Sequence, residues 1–276
     1  MTLVDHIGEE GVGLDYFDPK EFAARTQIED EHYWHLHRRE VLLEVLRRVC
    51  PDRSTPLIEV GCGIGTVTTH LNAHGFSVDY CDVHRTGLEH AEARAERRLG
   101  KPLERRFIRF DISSGPIPGD YGGVLMFDVL EHLEDHERVL ANLRESLAGR
   151  PDGFVFLTVP AFPLLWSPWD EIEKHKRRYT KASLVAAARA AGFRVEQLRY
   201  FFFPLFFAAL GVKGLRTLRD RVAPAPAATE IGELTEAKSM PLVNSVMLRL
   251  LAPERAWLGR ADLGLGTSLL AVLRAG

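Results

Sequence analysis

Along residues 40–49 the apolar positions Val41, Leu42, Val45, Leu46 and Val49 recur three and four apart. That spacing lines one face of a helix. The helical pattern runs from about residue 19 to 49, and Cys50-Pro51 stops it. Short apolar runs follow at 56–60, 76–83, 106–111, 124–127 and 154–159. Between them lie polar-apolar stretches of helical period at 65–73, 89–99 and 135–147. A helix at 179–191, closed by Gly192, precedes a sixth strand at 193–202. Residues 1–18, rich in glycine and acid, are predicted to be loose.

Strands alternating with helices at this interval imply an α/β fold with a doubly wound, mostly parallel sheet and helices on both faces. The rhythm breaks after Phe203. Residues 204–222 read as an apolar helix, 223–240 as an Ala/Pro-containing linker and 241–258 as another helix. Residues 266–273 read as a seventh strand pairing with 193–202. The predicted organisation is a helical cap over 1–50, a core over 51–203, a helical insertion over 204–262 and a final strand over 263–276.

Composition narrows the function classes. Apolar residues make up 46% and charged residues 26% of 276 positions, as in ordinary globular chains. The net charge of −3 gives no global reason to bind nucleic acid. Cys50, Cys62 and Cys81 are an odd number without a CxxC pair, which argues against a disulfide framework or zinc site and fits a reducing compartment. The opening MTLVDHIGEE lacks the basic-then-apolar order of a secretory leader, so a cytoplasmic location is expected. The most apolar run, FFFPLFFAAL at 201–210, is too short for the roughly 20 residues of a spanning helix.

The chemistry concentrates at LIEVGCGIG, residues 57–65. Gly61, Gly63 and Gly65 follow an apolar strand and precede a helix, where a parallel sheet binds ligands at its strand ends. Asp82 ends the next strand, a place from which a carboxylate accepts from ribose hydroxyls. The spacing is GxGxG rather than the GxGxxG of dinucleotide sites, and Glu59 precedes it. A carboxylate there repels a pyrophosphate and attracts an ammonium. The implied ligand is a nucleoside with an amino-acid arm, a description that S-adenosyl-L-methionine meets.

With FD at Phe110-Asp111 and FDVLEHLEDH at 127–136, this ensemble resembles the class I S-adenosylmethionine-dependent methyltransferases of small-molecule type over roughly residues 20–203. The resemblance implies their Rossmann-like fold. It assigns Glu59, Gly61 and Gly63 to the methionine arm, Asp82 to the ribose, and Val83, Asp111 and Ile112 to the adenine. Phe127 and Asp128 fall on the methionyl side. EDEHYWHLHRRE, residues 29–40, resembles the helix that closes over the cofactor in many such enzymes. There Tyr33 and Trp34 are placed to cover the ligands and Arg38 to pair with the methionine carboxylate, with Arg39 not separable from it. The alternative is an amphipathic cap with Trp34 as packing.

Residues 159–184, VPAFPLLWSPWDEIEKHKRRYTKASL, leave a strand end that faces the ligand crevice. They resemble the substrate-facing loop of small-molecule members. His175 is the candidate general base, since histidine is the side chain that ordinarily titrates near neutrality. Asp170 either orients it or binds substrate; Trp166, Arg177, Arg178 and Tyr179 are candidate substrate contacts. The plainer reading is a capping loop with a solvated basic run. Asp128, Glu131 and His132, spaced i, i+3, i+4, resemble the carboxylate-Glu-His set that holds a divalent metal in ubiquinone-pathway O-methyltransferases. No metal is expected, because DVLEH is also common in metal-free relatives.

The aromatic run at 200–207 suggests an apolar cap over a hydrophobic or aromatic metabolite, of the kind made in secondary metabolism. It serves equally as a homodimer face or a peripheral membrane contact. O-methylation is favoured. N- or C-methylation, a cyclisation that displaces the sulfonium, and a non-catalytic cofactor-bound module are the alternatives.

Overall fold

In the computed structural model, residues 3–8, 25–26, 28–100, 104–222, 241–258 and 262–275 are described. The central strands form where both side-chain faces are apolar. In β2 (Pro56–Val60), every residue after the first is buried, and β5 (Gly123–Phe127) and β6 (Phe154–Pro160) are buried throughout. Such runs suit a parallel sheet covered on both sides. With β1 (Leu3–Asp5), β3 (Ser77–Asp82), β4 (Phe107–Arg109), β7 (Arg194–Phe201) and β8 (Ser268–Arg274) they make one eight-stranded sheet among the described residues, in the order β1-β4-β3-β2-β5-β6-β8-β7. This is the Rossmann-like α/β fold expected from the sequence.

Two details correct that expectation. The sheet has one more strand than predicted, because Leu3–Asp5, read as part of a loose N-terminus, pairs parallel with β4. Three residues are too few to show an alternating pattern; a neighbour's open edge supplies the order. Second, β8 pairs with β7 as expected but also inserts against β6, antiparallel to both.

Helices cover both faces. On one side α1 (Tyr33–Val49) buries the predicted Val41, Leu42, Val45, Leu46 and Val49 against β2, β6 and β8, together with Leu251 and Leu258 of a later helix. On the other, α4 (His136–Ser146) and α6 (Lys181–Ala190) bury Leu140, Leu143 and Leu184. The remaining core helices, α2 (Thr66–Ala73) and α3 (Arg85–Leu99), follow β2 and β3. The predicted loop after β6 holds a 3-10 turn at Pro163–Leu165 and the short α5 (Pro168–Ile172). Between β7 and β8 stand α7 (Phe203–Val222) and α8 (Pro241–Leu258). The linker predicted at 223–240 and the start of the first predicted helix, 19–24, lie outside the described residues.

The strand order reverses between β2 and β5. Chain connections leave in opposite directions there and open a crevice at the strands' carboxyl ends. No described helix is long and apolar enough to cross a membrane.

Candidate functional site

A cleft of about 1650 Å³ occupies that crevice. Small-molecule sites usually measure about 300–1,000 Å³, so this one has room for two ligands side by side. Its walls include Glu59, Gly61, Gly63, Asp82, Val83, Asp111, Ile112, Phe127 and Asp128, which end or follow β2 to β5. Tyr33, Trp34 and Arg38 come from α1, and Trp166, His175 and Arg178 from the segment after β6.

The turn after β2 is built for close approach. Gly63 has φ +53, and a Cβ there would meet nothing within 4 Å. Its backbone amide donates to Asp82 Oδ2 at 2.8 Å, while His84 N donates to Oδ1 at 2.8 Å. Asp82 therefore ties the glycine turn to the end of β3 and keeps further acceptor sites on both oxygens. Gly61, at φ +73, sits where a Cβ would fall 2.3 Å from Val129, so only glycine lets the turn rest against the segment after β5.

Glu59 is buried at this turn and accepts from the Thr68 hydroxyl. Burial pushes its carboxyl up to about 7, against the lowering effects of Thr68 and Arg38. A carboxyl in that condition would be drawn back toward its charged form by a bound ammonium. The residues thus fit a nucleoside with an amino-acid arm: an acid for the amino group, open backbone at Gly63 and a strand-end carboxylate.

Arg38 and Arg39, inseparable in sequence, part here. Arg38 is buried in the cleft wall, and Arg39 is not part of the lining. Arg38 forms an ion pair with Asp128, Nη2 to Oδ2 at 2.6 Å, and its guanidinium lies over the Trp34 ring. The proposed pairing with a carboxylate ligand would require sharing or breaking the Asp128 contact. Trp34 stacks on Phe202 at 5.4 Å, so part of its ring serves as packing while it lines the cleft.

After β6, a relay is fixed by a capping box. Ser167 caps α5, and Asp170 at its third position turns back to accept from Ser167 N. Asp170 is fully buried. Arg178 grips it through Nε at 2.7 Å and Nη2 at 2.9 Å, and His175 Nδ1 lies 2.8 Å from its Oδ1. Burial alone would raise this carboxyl, but the bonds from His175 and Arg178 hold it well below the ordinary carboxylate range. An ionised carboxylate only accepts. Nδ1 of His175 therefore carries a proton, and Nε2 lies 4.0 Å from Glu131 Oε1.

This arrangement corrects several sequence expectations. Asp170 does not line the cleft; its carboxylate meets His175 and Arg178. Arg178 lines the cleft, yet its fork is engaged by Asp170. Arg177 donates to the carbonyls of Leu133 and Glu134 and is not among the lining residues. Tyr179 is buried, with its hydroxyl 3.1 Å from His136 Nδ1, and stands away from the cleft. A basic-aromatic run carries no sign of which side chains turn inward.

The metal alternative changes too. Asp128 has φ +55 in a turn that is not helical and accepts from Thr158 Oγ1 at 3.1 Å, so it shares no face with Glu131 and His132. Among the described residues, the donors that converge are Glu131, His132 and His175, within 4.8 Å of one another. That is close enough for small side-chain adjustments to bring all three onto one cation, so the candidate set differs from the predicted one by His175 in place of Asp128. Glu131 is fully buried, its carboxyl raised far above the usual range by burial and by Asp128. Its oxygens accept from no other described residue. Burial and His175 push His132 down to about 4, so it stays neutral at working pH.

Sequence reading missed the clasp over the cleft. Glu29 accepts from the Thr66 hydroxyl, Arg94 reaches Asp30 at 2.5 Å, and Arg25 bonds Glu173 at 3.1 Å. These ties join the segment before α1 to the glycine turn and to α5. Only the charge of EDE at 29–31 hinted at them.

A family model described as a methyltransferase domain matches residues 33–198. The chain is 25% identical over 139 residues to a ubiquinone biosynthesis O-methyltransferase of Chromobacterium violaceum, covering 50% of this chain and 59% of that protein. It is 28% identical over 122 residues to the protein of the same name in Rickettsia canadensis, covering 44% and 50%. The matches thus span about half the length of these curated relatives. Among solved structures, the magnesium protoporphyrin IX methyltransferase of Synechocystis PCC 6803 with bound S-adenosylhomocysteine aligns with a TM-score of 0.54 at 19% identity, over 67% of this chain and 89% of that one.

Proposed function

Because this chain belongs to the class I S-adenosylmethionine-dependent methyltransferases, we propose that it methylates a hydroxyl of a small, hydrophobic or aromatic metabolite. S-adenosylmethionine, when bound, supplies a methyl group on a sulfonium. Every other part of the reaction falls to the chain's own residues. Glu59 takes the ammonium, the Gly61–Gly63 backbone admits the methionine arm, and Asp82 accepts from the ribose. Val83, Asp111 and Ile112 enclose the adenine, and Phe127 and Asp128 border the methionyl side.

One observation carries the acid-base reading. His175 lines the same cleft as the glycine turn, and an ionised, buried Asp170 fixes its proton on Nδ1. Nε2 then takes the acceptor's proton as the oxygen–carbon bond forms and the sulfur–carbon bond breaks. Alignment and exclusion of water supply the rest. Tyr33 and Trp166 supply the aromatic walls for the acceptor. The names of the curated relatives support oxygen as the methylated atom.

The test uses methyl-labelled S-adenosylmethionine with a panel of phenols and aliphatic alcohols. His175→Ala should lower turnover at least a hundredfold and leave S-adenosylhomocysteine affinity within twofold, by a rough estimate from general-base contributions. Affinity that falls together with turnover would make His175 a cofactor or folding residue.

A further inference from the structure

Thirteen large apolar side chains stand exposed among the described residues, and nine of them are on α7 and α8. Leu242 is 76% exposed and Leu215 70%. On α8, Leu242, Val246, Leu250 and Trp257 fall within an arc of about 80° at 100° per residue. Leu251 and Leu258, on another arc, pack into the core beside α1. The exposed stripe is therefore surplus to what holds the helix in place.

The same helices carry more cations than carboxylates. Arg249 and Arg255 of α8 and Lys213 and Arg216 of α7 are basic. The carboxylate of α8, Glu254, is buried; it accepts from Phe203 N at 2.7 Å and lies 2.9 Å from His37 Nε2. By sequence α7 also carries Arg219, Asp220 and Arg221, so the two helices together hold six cations and two carboxylates although the whole chain is net negative. Val212 and Arg216 of α7 and Val243 of α8 also line the cleft, so this face forms the rim of the site.

We propose that α7 and α8 seat the protein on an anionic lipid surface. An amphipathic face with basic residues beside it lies in the headgroup layer without spanning it. A second copy of the chain suits this face less well, since a twofold contact would set a net basic surface against itself. Resting on the methyl-transfer reading above, the same geometry names the acceptor class: an amphipathic molecule whose apolar part stays in the bilayer while its hydroxyl enters the cleft.

Vesicle co-sedimentation tests the surface without cofactor or acceptor. Vesicles of phosphatidylcholine with about 30 mol % phosphatidylglycerol should carry the full chain down, and pure phosphatidylcholine should not. Salt at about 0.5 M should weaken the binding. The emission of Trp257 should shift to the blue on binding, and Trp257→Phe should remove that shift. Leu242→Ser/Leu250→Ser, which alters exposed positions only, should cut vesicle binding at least tenfold and keep S-adenosylhomocysteine affinity unchanged. Protein left in the supernatant with both vesicle types overturns the proposal. So does a concentration-dependent dimer, seen by sedimentation velocity, that the double variant dissolves. Failure to bind S-adenosylhomocysteine would sink the methyl-transfer reading alone and leave the vesicle result standing.

Discussion

Glu59→Gln isolates the step on which ligand choice depends. Glu59 is buried beside the glycine turn, holds the Thr68 hydroxyl, and titrates at about 7 because burial disfavours its charge. Glutamine keeps the volume and an acceptor for Thr68 but loses the charge. A hydrogen bond to a charged group contributes about 1.5–3 kcal/mol, so the variant should bind S-adenosylhomocysteine roughly 30- to 150-fold more weakly if 2–3 kcal/mol is lost. The pH dependence gives a second, independent reading. Ligand ammonium favours the ionised carboxylate, so the complex forms from the deprotonated protein and binding takes place with proton release below pH 7. Affinity should then fall as pH drops through 7. Between pH 7.5 and 5.5 the wild-type dissociation constant should rise about 25-fold for a group titrating at about 7, while Glu59→Gln should stay flat. Asp82 is also raised by burial, and it remains in the variant, so any residual slope belongs to it. Calorimetry in two buffers of different ionisation enthalpy measures both affinity and proton count. A variant within threefold of wild type, or a wild-type constant flat across this range, would refute the reading of Glu59 as the ammonium site.

Other outcomes follow from the same geometry. Asp82→Ala should weaken S-adenosylhomocysteine at least tenfold, because it removes the ribose acceptor and frees the Gly63 amide; unchanged affinity by calorimetry would end that assignment. Asp170→Asn keeps a bond to His175 but not the charge that fixes its tautomer. It should lower kcat far more than it raises KM and shift the acid limb of the pH–rate profile, whereas parallel loss of both would indicate a collapsed loop. Chelation with EDTA should leave turnover unchanged, because the proposed proton transfer uses His175 and Asp170 alone; a loss restored by magnesium would instead assign a cation to Glu131, His132 and His175.

The sheet and its ligand-binding edge were legible because they are written locally. Residues 57–65 carry strand, turn and helix start in one stretch, and Gly61 and Gly63 sit where φ is positive. Buried runs such as 154–159 needed only length and β-branched content to be read. The strand at Leu3–Asp5 was not legible, since its order comes from β4, about 100 residues away in the chain. Tyr179 failed for a related reason. Its neighbours in sequence are cations, but its hydroxyl meets His136, and a period-two or period-four pattern does not report which side chain a turn points inward.

Charge pairing is where sequence reading reaches its limit, and it is also what divides the labour in the cleft. Arg38 meets Asp128 across 90 positions, a pairing no local spacing encodes. Arg178 meets Asp170 within a single loop, and there the motif was read as substrate contact although it is a buried clamp. Once these two pairs are formed, Glu59, Asp82 and Glu131 remain in the cleft wall as buried carboxyls, all raised by desolvation. Burying a carboxyl without a cation is costly, and a chain can retain one where a ligand completes it. Glu59 stands by the turn and suits the ammonium of the methyl donor. Glu131 stands 4.0 Å from His175 Nε2, where a proton taken from the acceptor would arrive. If Glu131 supports that imidazolium, Glu131→Gln should lower the affinity of His175 for its proton. The acid limb of kcat should move down in pH, with S-adenosylhomocysteine binding unchanged. A limb that stays in place would leave Glu131 as a packing residue, and the base would then rest on Asp170 alone.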